Sequence, residues 1–382
     1  MQPDRRPIIV HIANSLVRGG TEHALVRLLH EWSGDGFQHT VVTLRAAGPL
    51  AEFLPDDVAC RALGIAGSSR LGWSRLAGIL RRIRPDVIHA RGAGCWSDTT
   101  LASTMLPSAR VVLGFHGWDT AGSLSRSVRV AAGIARRNGA AFLAVSTRLR
   151  ARLAAEIAVP ADDIEVLTHG VDNRRFHPLS MDQRNQLRRS LGFAERDLVI
   201  GTVASLTLIK RHDLLLQAFA EISRDNPRVR LILLGEGPER ANLEALARQL
   251  GMTARVVFLG YRNDVQDVLP ALDVYACTSD SEGRSNALLE ALATGLPVVS
   301  TDVGDHAAVL GGDSAGMIVP TGDVAALVTA LRRLADDEPL RQSMTANARQ
   351  VALGQDVGPA AAAHTAFYRR LVPNFWHASA GR

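Results

Sequence analysis

The sequence predicts an α/β protein of two domains, each with a parallel sheet flanked by helices. A chain of 382 residues, 47% of them hydrophobic, can form two ordinary domain cores. Short β-branched runs alternate with longer amphipathic stretches, which is typical of parallel strands joined by crossover helices. A polar, arginine-rich stretch at 173–197 interrupts this alternation, which then starts again. We therefore expect two Rossmann-like, doubly wound domains facing across a cleft, with the ligand at their carboxyl sheet edges.

The first domain is predicted over residues 1–172. Thr21 is a plausible N-cap for a helix at 21–32 that follows the first strand. Strands are expected at 8–12, 40–44, 87–90, 111–115, 142–145 and 165–167.

Residues 173–197 are predicted to be an interdomain linker with some helix of its own, because the stretch is irregular and contains Pro178. The second domain is expected over residues 198–358, and a separate amphipathic helix at 359–371. Its strands are expected at 199–204, 229–234, 256–259, 274–277, 298–300 and 316–319.

Composition points to a globular protein of the cytoplasm. The apolar stretch that begins at Ile8 is too short for a signal-peptide core, and no run approaches the roughly 20 apolar residues that span a bilayer. The three cysteines, Cys60, Cys95 and Cys277, show no disulfide or metal spacing, so we expect them to be packing residues.

The net charge of +5 lies entirely in the first half of the chain, where 20 Arg stand against 15 acidic residues. This bias could favour an anionic partner, such as the inner membrane surface or a phosphorylated acceptor. Scattered arginines also fit an ordinary solvated surface. A nucleic-acid-binding role is not expected, because the basic residues lack interleaved aromatic ones.

The motif richest in chemistry follows a predicted strand and begins a helix at Ser285 or Asn286. Exposed N–H groups and the dipole at such a helix start favour a diphosphate. Glu282 and Glu290 would repel that anion, so they are better explained as acceptors for the hydroxyls of a sugar and a ribose.

Two Glu residues separated by seven others, with the Gly-x-Pro-Val-Val stretch at 295–299, resemble the signature of glycosyltransferase family 4, the retaining GT-B enzymes. The resemblance spans nearly the whole chain. It implies that Glu290 binds the ribose and that Glu282 faces the transferred sugar. It also implies that backbone amides contact the sugar and phosphate, those of Arg284, Ser285, Asn286, Ala287 and Leu288.

Lys210 is the only lysine beside 42 arginines, which indicates a position that needs a compact ammonium. The resemblance gives it the role of neutralising the leaving diphosphate. Family members usually carry an Arg directly after the preceding strand, where this chain has Ser205. Whether the neighbouring Arg211 compensates is open.

Two segments of the first domain are also predicted to belong to the site. Gly19 and Gly20 at a helix start let backbone amides approach a phosphate, although such a pair is also an ordinary turn. His116 follows a strand, and the resemblance places it beside the donor sugar. We expect Trp118 and Asp119 to help recognise the acceptor.

Three weaker matches complete the resemblance. The glycine-rich turn at 235–238, and Tyr261 with Arg262, each follow a strand where the family contacts the nucleotide base. The stretch at 168–172 is similar to the family's hinge, with His169 in place of Asn. Residues 359–382 are expected to pack back onto the first domain, as in family members.

The resemblance implies retaining transfer of a sugar from a nucleotide sugar, with a UDP-sugar favoured, to a hydroxyl of a glycan, glycolipid or small molecule. The departing phosphate would act as the general base. No Asp-x-Asp follows a strand end, so neither a metal nor another cofactor is expected. Two alternatives stay open: a nucleotide-sugar epimerase of the same fold, and a catalytically silent nucleotide-sugar-binding subunit, which Ser205 would suit.

Overall fold

The computed structural model describes residues 5–17, 19–65, 72–117 and 122–376. The chain divides into two compact units. Unit 1 comprises Met1–His169 with Val357–Arg382, and unit 2 comprises Gly170–Asp356.

Unit 1 is built on a seven-stranded parallel sheet with the order β3-β2-β1-β4-β5-β6-β7. Its strands are β1 Ile8–Ala13, β2 Gln38–Thr43, β3 Ala59–Ala62, β4 Val87–Arg91, β5 Arg110–Phe115, β6 Ala141–Ala144 and β7 Ile164–Val166. The helices before the second unit are α1 Gly20–Glu31, α2 Gly72–Ile83, α3 Trp96–Ser103, α4 Arg126–Arg137 and α5 Thr147–Ile157. The last helix, α13 Val357–Leu371, also belongs to unit 1.

Unit 2 repeats this plan with a six-stranded parallel sheet of the order β10-β9-β8-β11-β12-β13. Its strands are β8 Leu198–Val203, β9 Val229–Leu234, β10 Val256–Gly260, β11 Val274–Cys277, β12 Val298–Thr301 and β13 Gly316–Val319. Its helices are α6 Met181–Ser190, α7 His212–Asp225, α8 Arg240–Gln249, α9 Asn286–Ala293, α10 His306–Leu310, α11 Val324–Asp336 and α12 Glu338–Leu353.

Both sheets are covered on their two faces, which explains the nearly continuous apolar strands. In unit 1, one face packs against α2 to α5 through residues such as Leu76 and Leu153, and the other against α1 and α13 through Leu28 and Phe367. The prediction of two Rossmann-like α/β domains is confirmed.

Three local expectations need correction or refinement. Strand β3 was not expected, because it is short, consists of one arginine among small residues, and lies largely exposed at the sheet edge. Thr21 is not the N-cap of α1, since the helix already begins at Gly20 with Gly19 as the cap residue. Residues 173–197 lie within unit 2, where two arginines of α6, Arg184 and Arg188, both bind the carboxylate of Asp273.

Candidate donor site and its framework

The strand order of unit 2 brings two chemical groups of the sequence motifs to one place. β8 and β11 are hydrogen-bonded neighbours at the point where the strand order reverses. Lys210 follows β8, and Glu282 follows β11. Ligands of open parallel sheets bind outside the carboxyl ends of strands at this reversal, which makes it the candidate site of unit 2.

Lys210 and Glu282 form a partly buried ion pair. Nζ of Lys210 lies 2.5 Å from Oε1 of Glu282, and the same oxygen accepts a hydrogen bond of 2.8 Å from the Ser279 hydroxyl. Burial alone would raise the pKa of Glu282, but the charges of Lys210 and His306, together with hydrogen bonds from Lys210 and Ser279, hold the pKa below its ordinary value. Burial likewise opposes the charge of Lys210, yet Glu282 keeps the pKa of the ammonium raised. Both groups are therefore charged near neutral pH.

Hydrogen bonds between loops fix the position of this pair. Thr278 donates from Oγ1 to the carbonyl of Lys210 over 2.9 Å, and the Asp280 amide donates to the Ile209 carbonyl over 2.8 Å. Thr301, at the end of β12, donates from its hydroxyl to the Ser279 carbonyl over 2.7 Å. The loops after β8, β11 and β12 are thus connected to one another.

The start of α9 lies in the same chain segment as Glu282. Ser285 is the N-cap, and its hydroxyl accepts from the Leu288 amide at 3.3 Å. Asn286 and Ala287 form the first turn, whose N–H groups favour an anion. Glu290 is half-buried one turn further along the helix.

Gly304 makes the close packing beneath this loop possible. Its φ of +54° suits glycine, and a Cβ there would lie 2.9 Å from the Gly283 carbonyl oxygen and 3.1 Å from that of Glu282. The loop after β12 therefore supports the backbone that carries Glu282.

The Arg284 side chain has a framework role. Its guanidinium forms an ion pair with Asp305 and donates to the Gln355 side chain over 2.6 Å, and only 5% of the side chain is exposed. Burial raises the pKa of Asp305, against the charge of Arg284. Arg284 therefore connects the loop between β11 and α9 to the loop after β12 and to the end of α12.

Arg211 is already paired in the structure. Its guanidinium contacts Asp213 at 3.0 Å and Asp280 at 3.2 Å, and the hydrogen bonds that it donates to Asp213 raise its pKa. Ser205 is exposed on the same loop. The sequence analysis expected an arginine where the chain has Ser205. To take its place, Arg211 would have to release a carboxylate and bind a phosphate.

Tyr261 and Arg262 follow β10, two strands from β8 in the sheet. The Tyr261 hydroxyl donates to the Asn263 side chain over 2.7 Å, and Arg262 pairs with Asp264. The loops after β8 and β9 are also connected, since the Leu206 amide donates to the carbonyl of Glu236. The Gly235 amide in turn donates to the carbonyl of Gly260, at the end of β10.

His306 is a residue of this region that the sequence reasoning missed. It is 1% exposed, its Nδ1 lies 2.7 Å from the Ser300 hydroxyl, and its Nε2 is buried with no hydrogen-bond partner in the described part of the chain. Burial lowers its pKa although Glu282 and Asp305 oppose the shift. The available signal was its position shortly after β12, at the same sheet edge as the glutamate loop.

In unit 1, the glycine pair stands at the start of α1. Gly19 is the cap residue in extended conformation, and its backbone position is not accompanied by a capping side chain from the residues that the structure describes. The carboxylate of Glu22 lies beside Gly19, and burial raises its pKa. An incoming phosphate would meet that carboxylate, which is easier to protonate than an ordinary glutamate.

His116 directly follows β5 of unit 1. Its ring stacks on that of His169 with 4.9 Å between centroids, and both ring nitrogens are buried without a hydrogen-bond partner among the described residues. Burial, reinforced by the charge of Arg91, lowers the pKa of His116 to about 3. The imidazole is therefore neutral. Trp118 and Asp119 lie outside the described residues.

A polar layer, which we define as His11, His39, His89, Arg91 and Tyr368, crosses the middle of the unit 1 sheet. His11 Nε2 lies 3.0 Å from His39 Nδ1, and His89 Nδ1 lies 2.7 Å from the Tyr368 hydroxyl. Arg91 donates to His11 and to Tyr368, and no carboxylate of the described residues pairs with it. The sequence reasoning missed this layer, because a histidine within an apolar strand gives no sign of what packs on it.

Within the described ranges, no three His, Cys, Asp or Glu side chains come together as a metal-binding group. No helix in the described part of the chain combines the length and apolar composition that a membrane span requires.

Among solved structures, the chain is similar to Anabaena Alr3699/HepE, crystallised in complex with UDP. The TM-score is 0.82 at 21% identity, and the match covers 95% of this chain and 99% of that chain. The likeness shows the fold, and the predicted two-domain GT-B architecture is confirmed.

Curated relatives match over part of their sequences. The chain is 29% identical over 195 residues to the N-acetyl-alpha-D-glucosaminyl L-malate synthase of Bacillus anthracis, which covers 51% of this chain and 50% of the relative. It is 29% identical over 293 residues to the sulfoquinovosyl transferase SQD2 of Arabidopsis thaliana, and this match covers 72% of this chain and 55% of the relative. The chain thus spans about half the length of the curated relatives that it matches.

Two family models match successive parts of the chain. The model for Glycosyltransferase Family 4 matches residues 18–175, and the model for Glycosyl transferases group 1 matches residues 183–351. Together they account for most of the sequence, including the Lys210 loop and the two glutamates of the donor motif. The chain therefore belongs to the family 4, group 1 glycosyltransferases.

Proposed function

We propose that this chain transfers a sugar from a nucleoside diphosphate sugar to an acceptor hydroxyl, with retention at the anomeric carbon. The observation that carries the proposal is the Lys210–Glu282 pair, 2.5 Å between Nζ and Oε1, at the reversal point of the unit 2 sheet and in the segment that begins α9. Cationic and N–H groups suited to a diphosphate stand there beside carboxylates suited to hydroxyls.

The proposed roles follow from charge. Lys210 and the amides at the start of α9 stabilise the diphosphate as it departs, because negative charge grows on it in the transition state. Glu290 accepts hydrogen bonds from the ribose. Glu282 accepts from a hydroxyl of the transferred sugar, and its lowered pKa keeps it an acceptor.

The reaction we propose exchanges one bond for another at the anomeric carbon. The acceptor oxygen forms a bond to this carbon while the bond to the diphosphate oxygen breaks on the same face. The acceptor proton passes to the departing phosphate, which serves as the base. In unit 1, we propose that neutral His116 and the Gly19–Gly20 loop take part in the transfer step.

A UDP-sugar is the favoured donor, because a similar structure is a complex with UDP. Tyr261 and Arg262 are proposed to contact the base. The acceptor is proposed to be a glycan, a glycolipid or a small molecule.

We also propose that no metal is required, so that activity survives chelation by EDTA. The free cysteines Cys60, Cys95 and Cys277 suit the reducing cytoplasm, where we propose that the chain acts, peripheral to the inner membrane face.

The test begins with a thermal-shift panel of nucleotide sugars, because a ligand of the folded state raises the apparent melting temperature with its concentration. The donor that binds is then assayed with an acceptor panel. Lys210→Ala and Glu290→Ala should each lower kcat/KM about a hundredfold or more, as is usual when one charge-stabilising group is lost. Glu221→Ala, on an exposed position of α7, is the matched control and should keep full activity.

Full activity in both Lys210→Ala and Glu290→Ala would refute the site assignment. Acceptor-independent conversion of the donor into its epimer would instead show an epimerase. Binding of a nucleotide sugar without turnover on any acceptor would indicate a silent subunit, the candidate that Ser205 favours.

A further inference from the structure

The outer surface of unit 1 carries an amphipathic face on α4. Val130 is 55% exposed and Ile134 is 36% exposed, and the two lie one turn apart on the same side of the helix. By helical periodicity, Arg126 and Arg137 point to the same outward side. The inward side consists of small buried residues, Ala131, Ala132 and Ala135.

The stretch from the start of α4 into α5 carries charge of one sign. Residues 126–152 contain seven Arg and no Asp or Glu. On the flank toward α5, Arg129 lies 3.6 Å from Glu156 and Arg136 lies 3.9 Å from Asp163. On the outward side, no carboxylate of the described residues pairs with Arg126 or Arg137.

The apolar character extends to the neighbouring helix. α3, α4 and α5 cover one face of the unit 1 sheet in chain order. Because the Arg129–Glu156 pair marks the α5 flank, Ile134 lies on the α3 flank. Leu101 of α3 and Met105 just beyond its end are each 43% exposed. Two adjacent helices therefore present aliphatic side chains to solvent.

We propose that this surface, the docking face formed by α4 with the adjoining flanks of α3 and α5, binds a bilayer that contains anionic lipid. Arginines attract the phosphate headgroups, and the aliphatic side chains between them enter the boundary with the acyl chains. A nucleic acid or an acidic polysaccharide would use the arginines but leave Val130 and Ile134 exposed to water. The aliphatic stripe therefore favours lipid.

The experiment measures sedimentation of the full chain with vesicles of phosphatidylcholine, with and without phosphatidylglycerol. The native chain should bind only the vesicles with anionic lipid, and less as salt rises. The double variant Arg126→Gln with Arg137→Gln should bind roughly tenfold or more weakly, since each basic residue near an anionic surface contributes on the order of 1 kcal/mol. Val130→Gln with Ile134→Gln should also weaken binding.

Matched variants on unit 2 serve as controls. Arg224→Gln with Arg248→Gln removes two exposed arginines from α7 and α8, and Met181→Gln changes a methionine that is 66% exposed on α6. Both should bind vesicles like the native chain. Equal melting temperatures and equal affinity for the nucleotide sugar will show that every variant is folded.

The inference is overturned if the native chain does not bind anionic vesicles, or if the control variants lose as much binding as the α4 variants. Unchanged vesicle binding by the Val130 and Ile134 variant, together with equal binding to heparin, would show a general polyanion surface instead. The inference rests on the proposed location at the membrane face and would refute that location if it failed. Vesicle binding needs no sugar transfer, so its failure leaves the proposed sugar transfer untouched.

Discussion

Gly304 supports the backbone that carries Glu282, and through it the position of the Lys210–Glu282 ion pair. Its left-handed conformation costs an alanine about 1–2 kcal/mol. The added Cβ would also press on the carbonyls of Gly283 and Glu282. The backbone conformation affects only the stability of the fold. The steric contact of the added Cβ would also displace Glu282, the ion-pair partner of Lys210.

We therefore expect Gly304→Ala to lose about 1–2 kcal/mol of unfolding free energy and to lower kcat at least tenfold, as small displacements of catalytic groups do. Gly322→Ala is the matched control, because Gly322 has a φ of +76° and nothing within 4 Å of an added Cβ. It should lose similar stability and keep its kcat. Urea denaturation and steady-state kinetics measure both effects, and equal kcat values in the two variants would contradict the argument.

The residues of the candidate site in unit 2 show what a sequence can predict about individual side chains. The spacing of Glu282 and Glu290 and the single lysine were visible because the residues are close in sequence or unusual in type. The partners of Arg284 were not predictable, since Asp305 and Gln355 lie 21 and 71 residues away in the sequence and meet it only in the folded unit. His306 was missed for the same reason, because its significance comes from its burial beside Ser300.

At the scale of elements, α13 packs on unit 1 through polar as well as apolar contacts. The Trp32 indole donates to the Ala361 carbonyl over 3.1 Å, and the Tyr368 hydroxyl contacts His89 and Arg91. Phe367 adds apolar burial. The final helix is thus specified by buried hydrogen bonds, which are costly when one partner is removed.

Tyr368→Phe should lower the unfolding free energy by about 1–3 kcal/mol, because it leaves polar atoms of His89 and Arg91 unsatisfied in the interior. Tyr275→Phe in unit 2 is the control. Tyr275 is equally buried, but its hydroxyl makes only a long contact of 3.4 Å with the Val203 carbonyl. Urea denaturation measures both variants, and losses of the same size would rule out a special role for the polar layer.

Most elements were predictable from periodicity, and those that were not have a physical reason. The apolar runs of β1, β9 and β11 are unmistakable strands. β3, with the sequence Ala-Cys-Arg-Ala, has no large or β-branched apolar side chain to signal it, and it is an edge strand stabilised by pairing with β2. The start of α1 was placed one residue late, because a glycine pair is a weaker signal than a threonine cap.

Buried histidines with lowered pKa values are unevenly distributed between the two units. Unit 1 buries His11, His89 and His169, whose pKa values lie well below the ordinary value chiefly because of burial. Burial also brings the pKa of His116 and of His364 to about 3. In unit 2, burial lowers the pKa of His212 to about 4 and lowers that of His306.

Stability should therefore fall as pH drops below about 6.5, the ordinary pKa of histidine. The unfolded chain binds protons there while the buried imidazoles do not, and each such group contributes about 1.4 kcal/mol per pH unit. Unit 1, with more of these groups, should open first. Hydrogen exchange between pH 7.5 and 5 would show this as earlier loss of protection in β1, β4 and α13. Constant protection over that range would contradict the linkage.

The partnership of Lys210 with Glu282 has a consequence for chemical labelling. A reagent selective for amines finds one lysine side chain in this sequence, and the salt bridge keeps that amine protonated and poorly nucleophilic. Its rate of acylation, read by mass spectrometry, therefore reports on a single position, without competing lysines. Faster acylation would show that the amine has separated from Glu282, and slower acylation would show that a ligand covers it.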